Sequence, residues 1–104
     1  MADAPRPLIV PLKRQWFEAF ARGEKTEEWR RHGARWNARH CWPGRPVILT
    51  LGYASAICPE HADRRLHATL AAVEYRQPDT EERRDLLGDV ECVVLKLTDI
   101  RTER

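Results

Sequence analysis

The sequence predicts a small α+β domain, a mixed β-barrel with an early amphipathic helix packed on it. Three observations lead there. A helical apolar spacing occurs early, between Leu12 and Arg22. After it come short apolar runs of strand character, separated by long loops. The chain has 104 residues, close to the usual size of one domain with one modest core. One helix followed by strands suits a sheet that curls and closes on itself, because closure removes exposed edges.

The elements follow in order. Residues 1–7 contain two prolines and read as a loose tail. Leu8-Ile9-Val10 reads as a short buried strand stopped by Pro11. From Leu12 to Arg22, Leu12, Trp16, Ala19, Phe20 and Gly23 keep a three-to-four spacing with Phe17 beside them, and Gly23 is the stop signal. Lys25 to Arg30 reads as a strand, with Glu28 and Arg30 on one face and Trp29 on the other. The expectation is that Trp29 packs on the core while Glu28 and Arg30 meet a cleft or solvent. Residues 31–45 read as a loop with one helical turn around Arg35 to Arg39. Pro46 to Tyr53 reads as a strand, and a loop continues to about Asp63. Leu66 to Tyr75 reads as a long strand with Leu66, Ala68, Leu70 and Ala72 on one face. Thr80 to Leu87 reads as a short helix, Gly88-Asp89 as a turn, and Cys92 to Leu97 as the closing strand. The charged residues 99–104 read as a second loose tail, so the whole of 1–104 is one domain.

Hydrophobic residues make up 42% of the chain and charged residues 33%, a globular rather than a disordered balance. The net charge is only +2, yet residues 30–45 carry five Arg and two His with no acidic residue. A local basic stripe on a nearly neutral chain suits an anionic partner. Three cysteines, an odd number, and no apolar leader-like start point to a reducing cytoplasm. No apolar run approaches the ~20 residues of a membrane-spanning helix.

The chemistry gathers in Gly23-Glu24-Lys25-Thr26-Glu27-Glu28-Trp29-Arg30. Lys25 offers a compact cation with three donors, suited to a phosphate or a developing oxyanion. Glu28 can accept from an exocyclic amine or hold Arg30, and Arg30 can grip Glu28 or a phosphate in a planar fork. The same trio also reads as a structural ion-pair network closing the barrel. Downstream, Arg31, His32, Arg35, Trp36, Arg39, His40 and Trp42 interleave basic groups with aromatics, a pattern that suits single-stranded nucleic acid. Trp36 and Trp42 equally read as anchors of a long loop. Tyr53, at a strand end, is a candidate for base stacking. Cys58-Pro59-Glu60-His61 supplies one C-x-x-H pair, whereas zinc needs three or four ligands, so no metal is expected.

The segment fits G-x-K-x-x-E-x-R and resembles the ASCH family. Pro11-Leu12-Lys13, the aromatic helix, Lys25-Thr26-Glu27-Glu28, the Arg-Trp loop and Ile48-Leu49-Thr50-Leu51-Gly52-Tyr53 follow in the order of the small bacterial and phage ASCH proteins. The resemblance covers roughly Pro11 to Tyr75. It implies a PUA-like barrel with a pocket between helix and barrel, lined by the motif, and binding of RNA or a nucleotide with no cofactor. Lys25, Glu28, Arg30, Arg35, Trp36, Arg39 and Tyr53 are then the candidate ligand-binding residues. Some family members hydrolyse the amide of acetylated cytidine, and at least one cleaves single-stranded RNA. In the amidohydrolases a threonine stands three residues after the lysine, where this chain has Glu28. A hydrolase here would use Lys25 and Glu28, with Thr26 as the nearby hydroxyl and Glu74, Glu81 or Glu82 as a distant carboxylate. The sequence leaves binder and enzyme both open, and does not fix the oligomeric state.

Overall fold

A computed structural model describes residues 5–103. Residues 1–4 and 104, parts of the two expected loose tails, lie outside the described residues. Five strands form one mixed sheet: β1 (Leu8–Leu12), β2 (Glu27–Arg31), β3 (Pro46–Leu51), β4 (Arg65–Arg76) and β5 (Cys92–Arg101). Helix α1 (Arg14–Ala21) follows β1, a 3₁₀ turn (Pro59–Arg64) precedes β4, and helix α2 (Glu81–Leu87) joins β4 to β5. The sheet order is β1-β3-β4-β5-β2, with β1 and β3 parallel and every other pair antiparallel. No helix among the described residues is long and apolar enough to cross a membrane.

The sheet is a half-barrel that stays open between its edge strands β1 and β2, where the sequence led us to expect closure. Pro11 supplies the reason. The proline sits within β1, which continues through it to Leu12. β1 pairs with β3 alone, so proline's missing N–H costs no existing ladder bond. The same missing donor weakens any ladder across the seam. A side chain spans it instead: Arg30 Nη2 of β2 donates to the Pro11 carbonyl of β1.

The main core lies on the concave face. Leu8, Val10 and Leu12 alternate into it from β1, Val47 and Leu49 from β3, and Leu66, Ala68 and Leu70 from β4. Phe17 and Phe20 of α1 are buried there, with Trp16 and Trp36 packed at its margin. α1 starts at Arg14 rather than Leu12, because Leu12 is still paired in β1. Gly23, at φ +75°, turns the chain away from the helix end.

Two bulges bend the long β4–β5 pair. One lies between Leu70 and Ala72 and the other between His67 and Thr69. The first shifts the inward face by one residue, so that Val73 packs on the core and Ala72, expected inside, is exposed. The second places an extra residue on β5 near Asp99, which has a φ of +53°.

Residues 99–101 are thus strand rather than loose tail, and Glu103 is anchored beyond them. Its carboxylate accepts from Arg65 Nε at 2.6 Å and Nη2 at 2.8 Å and lies 3.0 Å from His67 Nε2. Hydrogen bonds from Arg65 and His67 hold this carboxyl at about 2, well below its ordinary 4.5. A carboxyl depressed on folding contributes in full above its ordinary range and loses that contribution as pH falls toward the folded value. The difference in melting temperature between the wild type and Glu103→Gln, followed by circular dichroism, is expected to be full at neutral pH. It is expected to shrink as the pH falls from about 4.5 to about 2.

Candidate functional site

The motif residues are placed by local chain geometry. After Gly23, the Glu24 and Lys25 amides both donate to the Ala19 carbonyl, at 2.9 and 3.2 Å, folding Lys25 back beneath α1. Its Nζ lies 5.1 Å from the Trp16 ring centre and 5.4 Å from that of Phe20, within cation–π range. Strand β2 begins at Glu27, so Lys25 and Thr26 precede it. Glu28 pairs with Leu95 and Arg30 with Val93, which puts both side chains on the concave face.

There the three charges converge. Lys25 Nζ lies 3.3 Å from Glu28 Oε1, and Arg30 Nη2 donates to Glu28 Oε2 at 2.9 Å. Glu28's side chain is 11% exposed and its two partners 23% and 24%, so the triad is largely screened from water. Arg30 also lies over the Trp36 ring at 5.0 Å, while its buried Nε has no hydrogen-bond partner among the described residues.

Trp29 corrects the expected facing. It leaves the main core and packs on the convex face with Cys92, Val94 and Leu87 of α2. Arg76 and Arg83 lie over its ring at 5.0 and 4.4 Å. The sheet therefore turns charged residues toward the concave side and a tryptophan outward, and α2 makes that possible by covering the tryptophan.

Lys25, Glu28 and Arg30 are not among the residues lining either of two grooves on this surface. The triad backs a groove instead. A groove of about 320 Å³ runs between β1 and the 31–45 loop, and its lining includes Pro11, Arg35, Trp36, His40 and Arg45. Pro11 and Trp36 are the two groups that Arg30 contacts from behind. No carboxylate among the described residues lines this groove. The loop holds one helical-type turn, displaced from the expected position to residues 37–41: the His40 and Cys41 amides both donate to the Asn37 carbonyl, at 3.1 and 2.8 Å, while Gly33 N donates to Trp36 O. Cys41 is buried in the main core and pins the loop, while burial pushes its thiol pKa up.

The remaining candidates stand apart. Thr26 is exposed, and its carbonyl accepts from Leu97 N at 2.8 Å. Arg39 is exposed, and Tyr53, beyond β3 after Gly52, is fully exposed. Glu74 pairs with Arg76 and Lys96 on the convex side, and Glu81 and Glu82 are in the first turn of α2, the helix docked on that side. None of these three glutamates belongs to the Lys25–Glu28–Arg30 cluster. His61 Nδ1 accepts from Ser55 N at 2.8 Å, and no metal-holding group of acidic, His or Cys side chains occurs among the described residues. His40, one of the loop residues the sequence singles out, is a groove wall, and sequence reasoning missed Arg45 beside it. It also missed Arg65, whose only visible signal is a charged residue beside Leu66 at the start of an apolar strand.

Neither a family model nor a curated protein matches the chain by sequence. The half-barrel with α1 packed on its concave face has an ASCH-like fold. The solved structure that carries this conclusion is a point mutant of ZmASCH from Zymomonas mobilis, with a TM-score of 0.64. The two share 18% identity over 92% of this chain and 71% of that one, a likeness of fold.

Proposed function

We propose that this chain is an RNA-binding domain whose β1–loop groove holds a single-stranded segment, one nucleotide seated on Trp36. The observation that carries the reading is the groove's lining, which brings together an aromatic, two arginines and a histidine and, among the described residues, no carboxylate. Bases stack on aromatic faces and cations track phosphates, the combination used for single strands. The volume lies at the low end of the ligand-pocket range of about 300–1,000 Å³. Arg35 and Arg45 hold phosphate, and Arg39 extends the cationic track from the exposed side of the loop. The Lys25–Glu28–Arg30 triad sets Trp36 from behind and leaves one net positive charge there. Tyr53 is left for a longer segment that reaches past β3.

Fluorescence anisotropy of a labelled single-stranded RNA across a salt series tests this. Three phosphates neutralised by Arg35, Arg39 and Arg45 give an expected slope of log K against log salt of about −2. A slope near zero would remove the phosphate track and with it the reading.

The 3.3 Å contact between Lys25 and Glu28 favours a second reading, a small hydrolase built on these two groups. Turnover of N4-acetylcytidine or single-stranded RNA, lost in both Lys25→Ala and Glu28→Ala, would put it in first place.

A further inference from the structure

A second groove, about 560 Å³, opens between α1, the 3₁₀ turn and the end of the chain. Its polar end is built around Arg65, which is 4% exposed. Arg65 Nη1 donates to the carbonyls of Ser55, at 3.1 Å, and Cys58, at 2.7 Å. Those two bonds fix the guanidinium from one side. The other side presents Nε and Nη2 as a planar fork, the geometry that recognises a carboxylate through two parallel bonds. Glu103 occupies that fork, and His67 Nε2 adds a third contact. Glu103 lies beyond β5 in irregular chain, and its side chain is about a third exposed, 35%. It is a tethered carboxylate in a prebuilt carboxylate site.

The rest of the groove defines what else fits. Phe17, Ala21 and Ala62 supply an apolar wall. Glu60 and Asp63 stand at the rim, and their side chains make no hydrogen bond or ion pair among the described residues. Their charges repel additional negative charge, which disfavours phosphates and dicarboxylates and leaves a single carboxylate at the fork.

We propose that this groove is a second ligand site, for a monocarboxylate with an apolar body, and that Glu103 is its built-in competitor. The incoming carboxylate takes the Arg65 fork and the His67 contact, its apolar body lies along Phe17, Ala21 and Ala62, and Glu103 is released to solvent. The site is separate from the groove assigned to RNA and stands or falls independently of that assignment.

The test uses the full chain, wild type and Glu103→Gln, titrated with octanoate and followed by amide NMR. Inorganic phosphate and octylamine are the comparison probes. Octanoate is expected to shift the resonances of Ala21, Ala62 and His67 in both proteins. Binding is expected to be tighter in Glu103→Gln, by about tenfold where the fork would otherwise stand free about a tenth of the time, because apparent affinity scales with the binding-competent fraction. Arg65→Lys, which keeps the charge but loses the fork, is expected to abolish the shifts. Where that variant does not fold, the Glu103→Gln comparison decides. Equal affinity in the two proteins, no shift in either, or binding of phosphate or octylamine in place of octanoate would overturn the proposal.

Discussion

Glu28→Ala is expected to lower the free energy of unfolding by about 2–4 kcal/mol. Glu28 is the carboxylate that Lys25 and Arg30 share, at 3.3 and 2.9 Å. Removing it leaves two cations close together with little access to water. Exposed pairs are worth about 0–1 kcal/mol, whereas removing one partner of a buried pair costs about 3–5 kcal/mol. At 11% exposure for the carboxylate and about a quarter for each cation, the triad belongs nearer the buried case. Against a typical total of about 5–15 kcal/mol this is a large loss, with a melting temperature lower by about 10–20 °C. Urea denaturation checks it. Lys25→Met is the control, because it leaves the Arg30–Glu28 hydrogen bond in place and is expected to cost much less. A loss below about 0.5 kcal/mol for Glu28→Ala would mean that water, and therefore ligand, reaches the triad directly. The motif would then be part of the binding surface rather than the wall behind it.

Trp36→Ala is expected to weaken single-stranded RNA binding by about 5- to 150-fold, the range for losing one base–aromatic stack of about 1–3 kcal/mol. Trp36 is both a groove wall and the plate over which Arg30 lies, so truncation removes the stacking face and uncovers the Arg30 guanidinium. Trp36→Phe keeps a ring at the site and is expected to recover most of the affinity. Because a π-face accepts any base, the loss is expected to be similar for pyrimidine- and purine-rich oligonucleotides. The check is anisotropy on both, at one fixed salt concentration, with the folded state of each variant followed by near-ultraviolet circular dichroism. Unchanged affinity in Trp36→Ala would remove the groove from the RNA-binding surface.

These expectations also divide what the sequence makes legible from what it does not. The period of two puts Glu28 and Arg30 on one face and Trp29 on the other, and the structure keeps that arrangement. Gly23 closes α1 as the helical spacing predicts. Alternation left Lys25 undirected. What directs it is the pair of hydrogen bonds from the Glu24 and Lys25 amides to the Ala19 carbonyl.

By itself, then, the sequence determined which residues of β2 share a face, where the helix ends and where cations concentrate. All three are set by covalent spacing and the backbone's preferred periods, which act within a few residues. Tertiary structure alone decided which face points inward. Pairing of β2 with β5 sends Glu28 and Arg30 to the concave side, and α2 arrives to cover Trp29 on the other. Only the folded chain joins Arg65 to Glu103, 38 residues away. The bulge between Leu70 and Ala72 likewise moves the inward face from Ala72 to Val73, and Pro11 leaves the barrel open. Each of these depends on a strand or terminus distant in sequence, and local periodicity carries no record of which distant segment will pair with it.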